Sequence, residues 1–167
     1  IWNGVTSSAT NYGRLRLEMS GASSGASAAP FLLTLYSGST GFTQQAIAAT
    51  TLTSASVADD KWHHYAVTLK QNASAKVDTK FYVDGQLNRV QEVSASGKGT
   101  LQDISGKNLR ATLGALVTSP RKLTTPAYAG KLSASLDEFR FWKTQRTSQN
   151  IGRYWFTQVG GGVNTDP

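Results

Sequence analysis

The strongest constraint on this chain is a rhythm of two. In "RLRLEM", Leu15, Leu17 and Met19 alternate with Arg14, Arg16 and Glu18. Successive side chains of a strand point to opposite faces, so this stretch predicts a strand with a dry Leu/Met face and a wet charged one. "FLLTLY", "QQAIAATTL", "HHYAVTLK", "KFYVDG", "LNRVQEV", "NLRATLGA" and "KLSASLDEFRFWK" continue the series, rich in β-branched and aromatic residues. Turn formers separate them at short intervals: "MSGASSGASAAP", "SGKGTLQDISGK" and "TSPRKLTTP" read as loops. Only "TSQNIGRYWF" predicts a short helical turn near the C-terminus, capped at Thr147 or Ser148. Many strands and almost no helix predict an all-β, two-sheet antiparallel sandwich.

Length and charge bound what such a sandwich does. A chain of 167 residues fills one domain and buries its own core without staples, and it has no cysteine for any. Residues 1–156 are expected to form that domain. Residues 157–167, with Gly160, Gly161 and Gly162, read as a linker or tail, because no phosphate-cradling lysine or helix follows the glycines. The longest apolar run, Phe31 to Tyr36, is far short of the ~20 residues that span a bilayer, so no membrane insertion is expected. The formal charge is +7, and nine basic residues lie between Lys107 and Arg153 against the acidic Asp137 and Glu138. They are scattered singly, apart from Arg121-Lys122, with no helical stripe, so nucleic acid is not the expected partner; an anionic polysaccharide or cell surface fits better.

Three polar places could carry chemistry. In "DDKWHHYAVTLK", His63 and His64 are adjacent, so in an extended chain they point to opposite sides and cannot share one ion; structural roles are expected for both. Asp84-Gly85 in "KFYVDGQL" predicts a tight hairpin turn, with Asp84 bonding local backbone. In "LDEFRFW", Asp137 is in phase with Phe139 and Phe141, an expensive position for a carboxylate unless it is compensated. Neighbouring amides, Lys131, one of the histidines or a calcium ion could compensate it, and the hydrogen-bonded role is favoured because calcium wants several carboxylates and the chain has ten acidic residues in all. "NAS" at Asn72 to Ser74 has the form of a glycosylation acceptor.

Taken in order, "DDKWHHYAVTLK", "KFYVDGQL", "LGA" and "AGKLSASLDEFRFWKTQRTSQNI" resemble the successive signatures of laminin-G-like, concanavalin A-like jelly-roll domains. The resemblance spans roughly Asp59 to Ile151 and implies two curved antiparallel sheets, in which "WHH" opens an inner strand and "LDEFRFW" supplies the closing one. It further implies a module of a larger extracellular, cell-surface or virion protein, with flanking domains. Only "IWNG" precedes the first loop, so the family's amino-terminal strand is expected to be trimmed. Trp62, Val67, Phe81, Val83, Phe139 and Phe141 are expected inside the sandwich.

Catalytic relatives on this fold carry glutamates spaced two and four residues apart around an aspartate, a pattern absent here. Asp137 and Glu138 fall on opposite faces, unlike the paired carboxylates of glycoside hydrolysis. No catalytic residue and no required cofactor are therefore expected, with calcium at Asp137 the alternative. A non-catalytic recognition module remains, binding a glycan or cell surface, with a purely structural spacer as the alternative and a polysaccharide-active enzyme third. The candidate ligand-binding residues are Tyr36, Phe42 and Tyr128, aromatics beside small or polar residues that could stack on sugar rings, with Arg121 and Lys122 as the basic pair.

Overall fold

The computed structural model describes residues 1, 13–19, 29–38, 40–94, 111–117, 128–132 and 134–157. Strands β1 (Gly13–Met19), β2 (Phe31–Ser37) and β3 (Thr40–Ala46) form one antiparallel sheet in that order. Strands β4 (Tyr65–Gln71), β5 (Lys76–Val83) and β6 (Gln86–Ser94) form a second. A short ladder joins β7 (Ala115–Val117) to β8 (Tyr128–Lys131). Two helical pieces complete the described elements, α1 (Ser54–Val57) and α2 (Ser148–Tyr154).

The two three-stranded sheets meet face to face. Phe31 of β2 lies 4.8 Å from Phe81 of β5 and 4.6 Å from Tyr65 of β4, ring centre to ring centre. Leu33, Phe42, Ile47, Ala48, Val77 and Val93 complete the buried core, with Tyr65, Val67 and Val83 packed half-buried against it. Each fully buried ring of this kind contributes roughly 1.5–3 kcal/mol through area removed from water. This is the sandwich expected from the alternation.

Local chemistry explains the turns. Asp84 and Gly85 both take left-handed backbone, φ 49° and 75°, as the two-residue hairpin between β5 and β6 requires. Thr147 caps α2 as expected, its hydroxyl accepting from the Asn150 amide at 3.1 Å. A capping box between Thr53 and Ser56 starts α1, an element the strand pattern did not announce.

Several expectations are corrected. "QQAIAATTL" contributes only its first three residues to β3. Its remaining backbone is tied by side chains of β6 instead: Asn88 Oδ1 accepts from the Ala49 amide at 2.8 Å, Arg89 Nη1 donates to Ala48 O at 2.7 Å, and Gln91 Nε2 donates to Ala46 O at 2.9 Å. Of "NLRATLGA", only Ala115 enters a described strand. In β1 the expected pattern holds at Leu15, which packs against the core, but not beyond it: Arg14 and Glu18 are buried, Arg16 pairs with Glu18, and Leu17 and Met19 are exposed, although Ile1 exchanges two backbone hydrogen bonds with Leu15 on the strand's outer edge.

The late segment departs furthest. Residues 134–143 belong to no described strand, and Phe139 and Phe141 are 60% and 55% exposed. Trp62 is 70% exposed, because it precedes β4 rather than opening it. The loop segments around residues 20–28, 95–110 and 118–127, and the Gly-rich tail, lie outside the described residues.

Candidate functional site

The most organised polar feature is the corner where the chain enters β4 beside the β5–β6 turn. His63 Nδ1 bonds Asp84 Oδ2 at 2.8 Å and His63 Nε2 bonds Asp59 Oδ1 at 3.1 Å. Carboxylate oxygens only accept, so this arrangement favours the protonated ring, in which both nitrogens donate. The bond to Asp84, then that to Asp59, raises the His63 pKa above its ordinary value; the bond to His63 lowers that of Asp59. The three groups lie in a row, a carboxylate at each end of the ring, rather than around a point. Among the described residues no cluster of three or more such side chains is arranged to hold a metal.

Asp84 does more than turn the hairpin. Its other oxygen accepts the His64 amide at 2.8 Å, and its own amide donates to His64 O at 2.8 Å. The β5–β6 turn is thereby fastened to the start of β4. Asp59 Oδ1 also accepts the Lys61 amide at 3.1 Å, so the loop between α1 and β4 is pinned at both ends.

Trp62 stands between the two pins. Its indole is free of the core, with exposed Asp60 and Lys61 before it. Lys61 Nζ lies 3.8 Å from Asp59 Oδ2, and among the described residues Asp60 makes no hydrogen bond or ion pair.

His64 faces the other way, as its neighbour relation requires. Its ring lies 6.1 Å from that of Trp155, and its Nδ1 is buried without a partner among the described residues. Burial, then the nearby Arg140 charge, lowers its pKa, which favours the neutral ring in the fold. Trp155 in turn lies on the hairpin turn: a Cβ added at Gly85 would sit 2.1 Å from Trp155 Cδ1, so only glycine admits the indole there. Tyr82 Oη shares a 2.8 Å hydrogen bond with Ser148 Oγ, docking the start of α2. Arg140 donates to Tyr154 O, Thr157 O and Glu138 Oε2, holding the chain after α2 against the late segment.

The residues singled out from the sequence are dispersed. Phe42 is 7% exposed within the core, so its ring is not available to stack on a sugar. Tyr36 is half-buried, its hydroxyl 2.9 Å from Thr43 Oγ1. Tyr128 lies in β8, with its side chain outside the described set, and Arg121 and Lys122 lie outside the described residues. Asp137 is exposed and, among the described residues, accepts only the Glu138 amide, at 2.8 Å; the costly buried carboxylate expected from its strand phase is not there.

Asn72, the asparagine of "NAS", is engaged on both sides. Its Nδ2 donates to Asp78 Oδ1 at 2.9 Å and Glu92 Oε2 at 2.7 Å, and its Oδ1 accepts the Ser74 and Lys76 amides. It is the knot of the β4–β5 turn.

The sequence reading passed over the Asp59–His63–Asp84 row because Asp84 lies 21 residues from His63. The one available signal was a histidine following two aspartates at close range.

Comparison with known proteins places this geometry in a lineage. A laminin-G-type family model, that of the concanavalin A-like lectin/glucanases superfamily, matches residues 2–152. No curated protein and no solved structure matches the chain.

Proposed function

The chain belongs to the concanavalin A-like lectin/glucanases superfamily, and from that premise we propose that it is a non-catalytic glycan-recognition domain whose ligand meets the Trp62 corner. The observation that carries this reading is the 70% exposed indole of Trp62 on a loop pinned through Asp59, His63 and Asp84. An indole face packs against the C–H face of a sugar ring, and a loop already held in place loses little freedom on binding.

Five of the eight described carboxylates are held in ion pairs, which supports the non-catalytic reading, while among the described residues Asp60 and Asp137 stand outside any such pair. Glu18 pairs with Arg16, Asp59 and Asp84 with His63, Glu92 with Lys76 and Asn72, and Glu138 with Arg140. Groups occupied in this way are poor candidates for an acid and base flanking a glycosidic bond. The setting we infer is a surface or virion protein with flanking domains, as the laminin G resemblance implies.

Glycan-array binding with the purified domain tests the reading. Trp62→Ala should weaken saccharide binding about tenfold or more, as removal of a central aromatic anchor does, while leaving the melting temperature in place. A domain that binds no saccharide stands instead as a spacer, and cleavage of a polysaccharide by the purified domain would make it an enzyme.

A further inference from the structure

Resting on the glycan reading above, we propose that the Trp62 corner selects an uncharged sugar, stacking it on the indole with its hydroxyls toward the Asp60 carboxylate, and turns away uronic-acid and sulfated sugars. The inference runs against the charge of the chain as a whole, which is +7.

Local charge decides the matter. The corner holds Asp59, Asp60 and Asp84 against Lys61 and, when it is protonated, His63. Three carboxylates against at most two cations leave at least one net negative charge beside Trp62. Both nitrogens of His63 are already committed to carboxylates, and Lys61 Nζ lies 3.8 Å from Asp59 Oδ2. Lys61, 75% exposed and only loosely paired, is the one cation among the described residues of the corner that an incoming anion meets, and the three carboxylates around it outweigh it. A sugar carboxylate or sulfate arriving there meets like charge at short range, where repulsion is least screened.

Asp60 supplies the complementary half. It is held in left-handed backbone, φ 60°, and is exposed, two residues before the indole. Among the described residues nothing hydrogen-bonds it. A carboxylate accepts from two hydroxyls at once, which suits the vicinal diol of a pyranose lying on an aromatic face. Its neighbours, by contrast, are spent: Asp59 on Lys61 and His63, Asp84 on His63 and His64. The division of labour is that Asp59 and Asp84 build the loop while Asp60 and Trp62 face outward.

The experiment follows the Trp62 indole N–H signal by NMR, identified by its loss in Trp62→Phe, during titration at low salt. The probes are cellohexaose, xylohexaose and maltohexaose as neutral ligands and hexagalacturonate as the anionic one. At least one neutral hexamer is expected to shift the signal, with an affinity at least about tenfold above that of hexagalacturonate. Asp60→Asn should weaken the neutral ligand several-fold at unchanged melting temperature. Hexagalacturonate shifting the signal as tightly as the neutral hexamers would overturn the charge selection, and neutral binding untouched by Asp60→Asn would overturn the role of Asp60. Failure of all four probes to move the signal would bring down the glycan reading itself, and this inference with it.

Discussion

Asp84 and Asp137 both sit on left-handed or adjacent-to-left-handed backbone near a strand-like sequence, yet their surroundings differ. Asp84 satisfies the His64 amide and one nitrogen of His63 with its two oxygens. Among the described residues, Asp137 accepts a single local amide in an exposed stretch. Asp84→Ala orphans donors at the start of β4 and should cost about 1–3 kcal/mol, whereas Asp137→Ala should stay within about 0.5 kcal/mol of the parent. Urea denaturation of both variants checks the pair; an equal loss at Asp137 would mean that its carboxylate has a partner beyond Glu138. At this scale the sequence misleads where burial depends on something distant. Strand phase puts Asp137 beside Phe139 and Phe141 on paper, but phase carries meaning only if the segment joins a sheet. Trp62 fails for the same reason, three positions ahead of Tyr65, where the regular strand geometry that would have turned it inward begins.

The start of β4 is where two adjacent histidines are put to opposite electrostatic use. His63 is raised by Asp84 and Asp59, so it favours folding fully below the ordinary histidine value of about 6.5, and that contribution is lost as pH rises through its elevated folded value. His64 is lowered by burial and by Arg140, so it resists protonation in the fold. Its contribution is intact above about 6.5 and is lost as pH falls through its depressed folded value. The two slopes have opposite sign and meet near the ordinary value. Thermal denaturation between about pH 5 and 8 should therefore give a shallow maximum, with His63→Gln flattening the alkaline side and His64→Gln the acidic side. An alkaline side unchanged in His63→Gln would show that the row of three does not titrate as drawn. Strands β1, β2, β4, β5 and β6, the Asp-Gly hairpin and the α2 cap were all legible, because each is set by residues within a few positions of one another. The pairing of His63 with Asp84 was not, since it is made across the sheet and no local pattern encodes it.

Across the whole molecule, charge is unevenly shared between a basic C-terminal third and an acidic Trp62 corner. Any attachment to an anionic surface should then be a property of the former alone. Retention on heparin should fall steeply between low and high salt, because exposed charges are screened beyond ~8 Å at physiological ionic strength, while neutral-sugar binding at Trp62 should hardly change. Retention that ignores salt would mean that contacts other than charge hold the surface. The fold class was legible at this scale because alternation and turn spacing repeat along the chain, but the β6 side chains that tie down residues 46–49 were not, since they act from some 40 positions away. The clasp between Tyr82 and Ser148 has a kinetic meaning as well as a static one. The two residues are 66 positions apart, so the chain must close a long loop before that contact returns anything, whereas β2–β3, β4–β5 and β5–β6 join through two to four residues. The C-terminal helix is therefore expected to dock late, onto a hairpin already made, so Ser148→Ala should speed unfolding more than it slows refolding in stopped-flow experiments, and a refolding rate slowed as much as unfolding is speeded would place the helix in the folding nucleus.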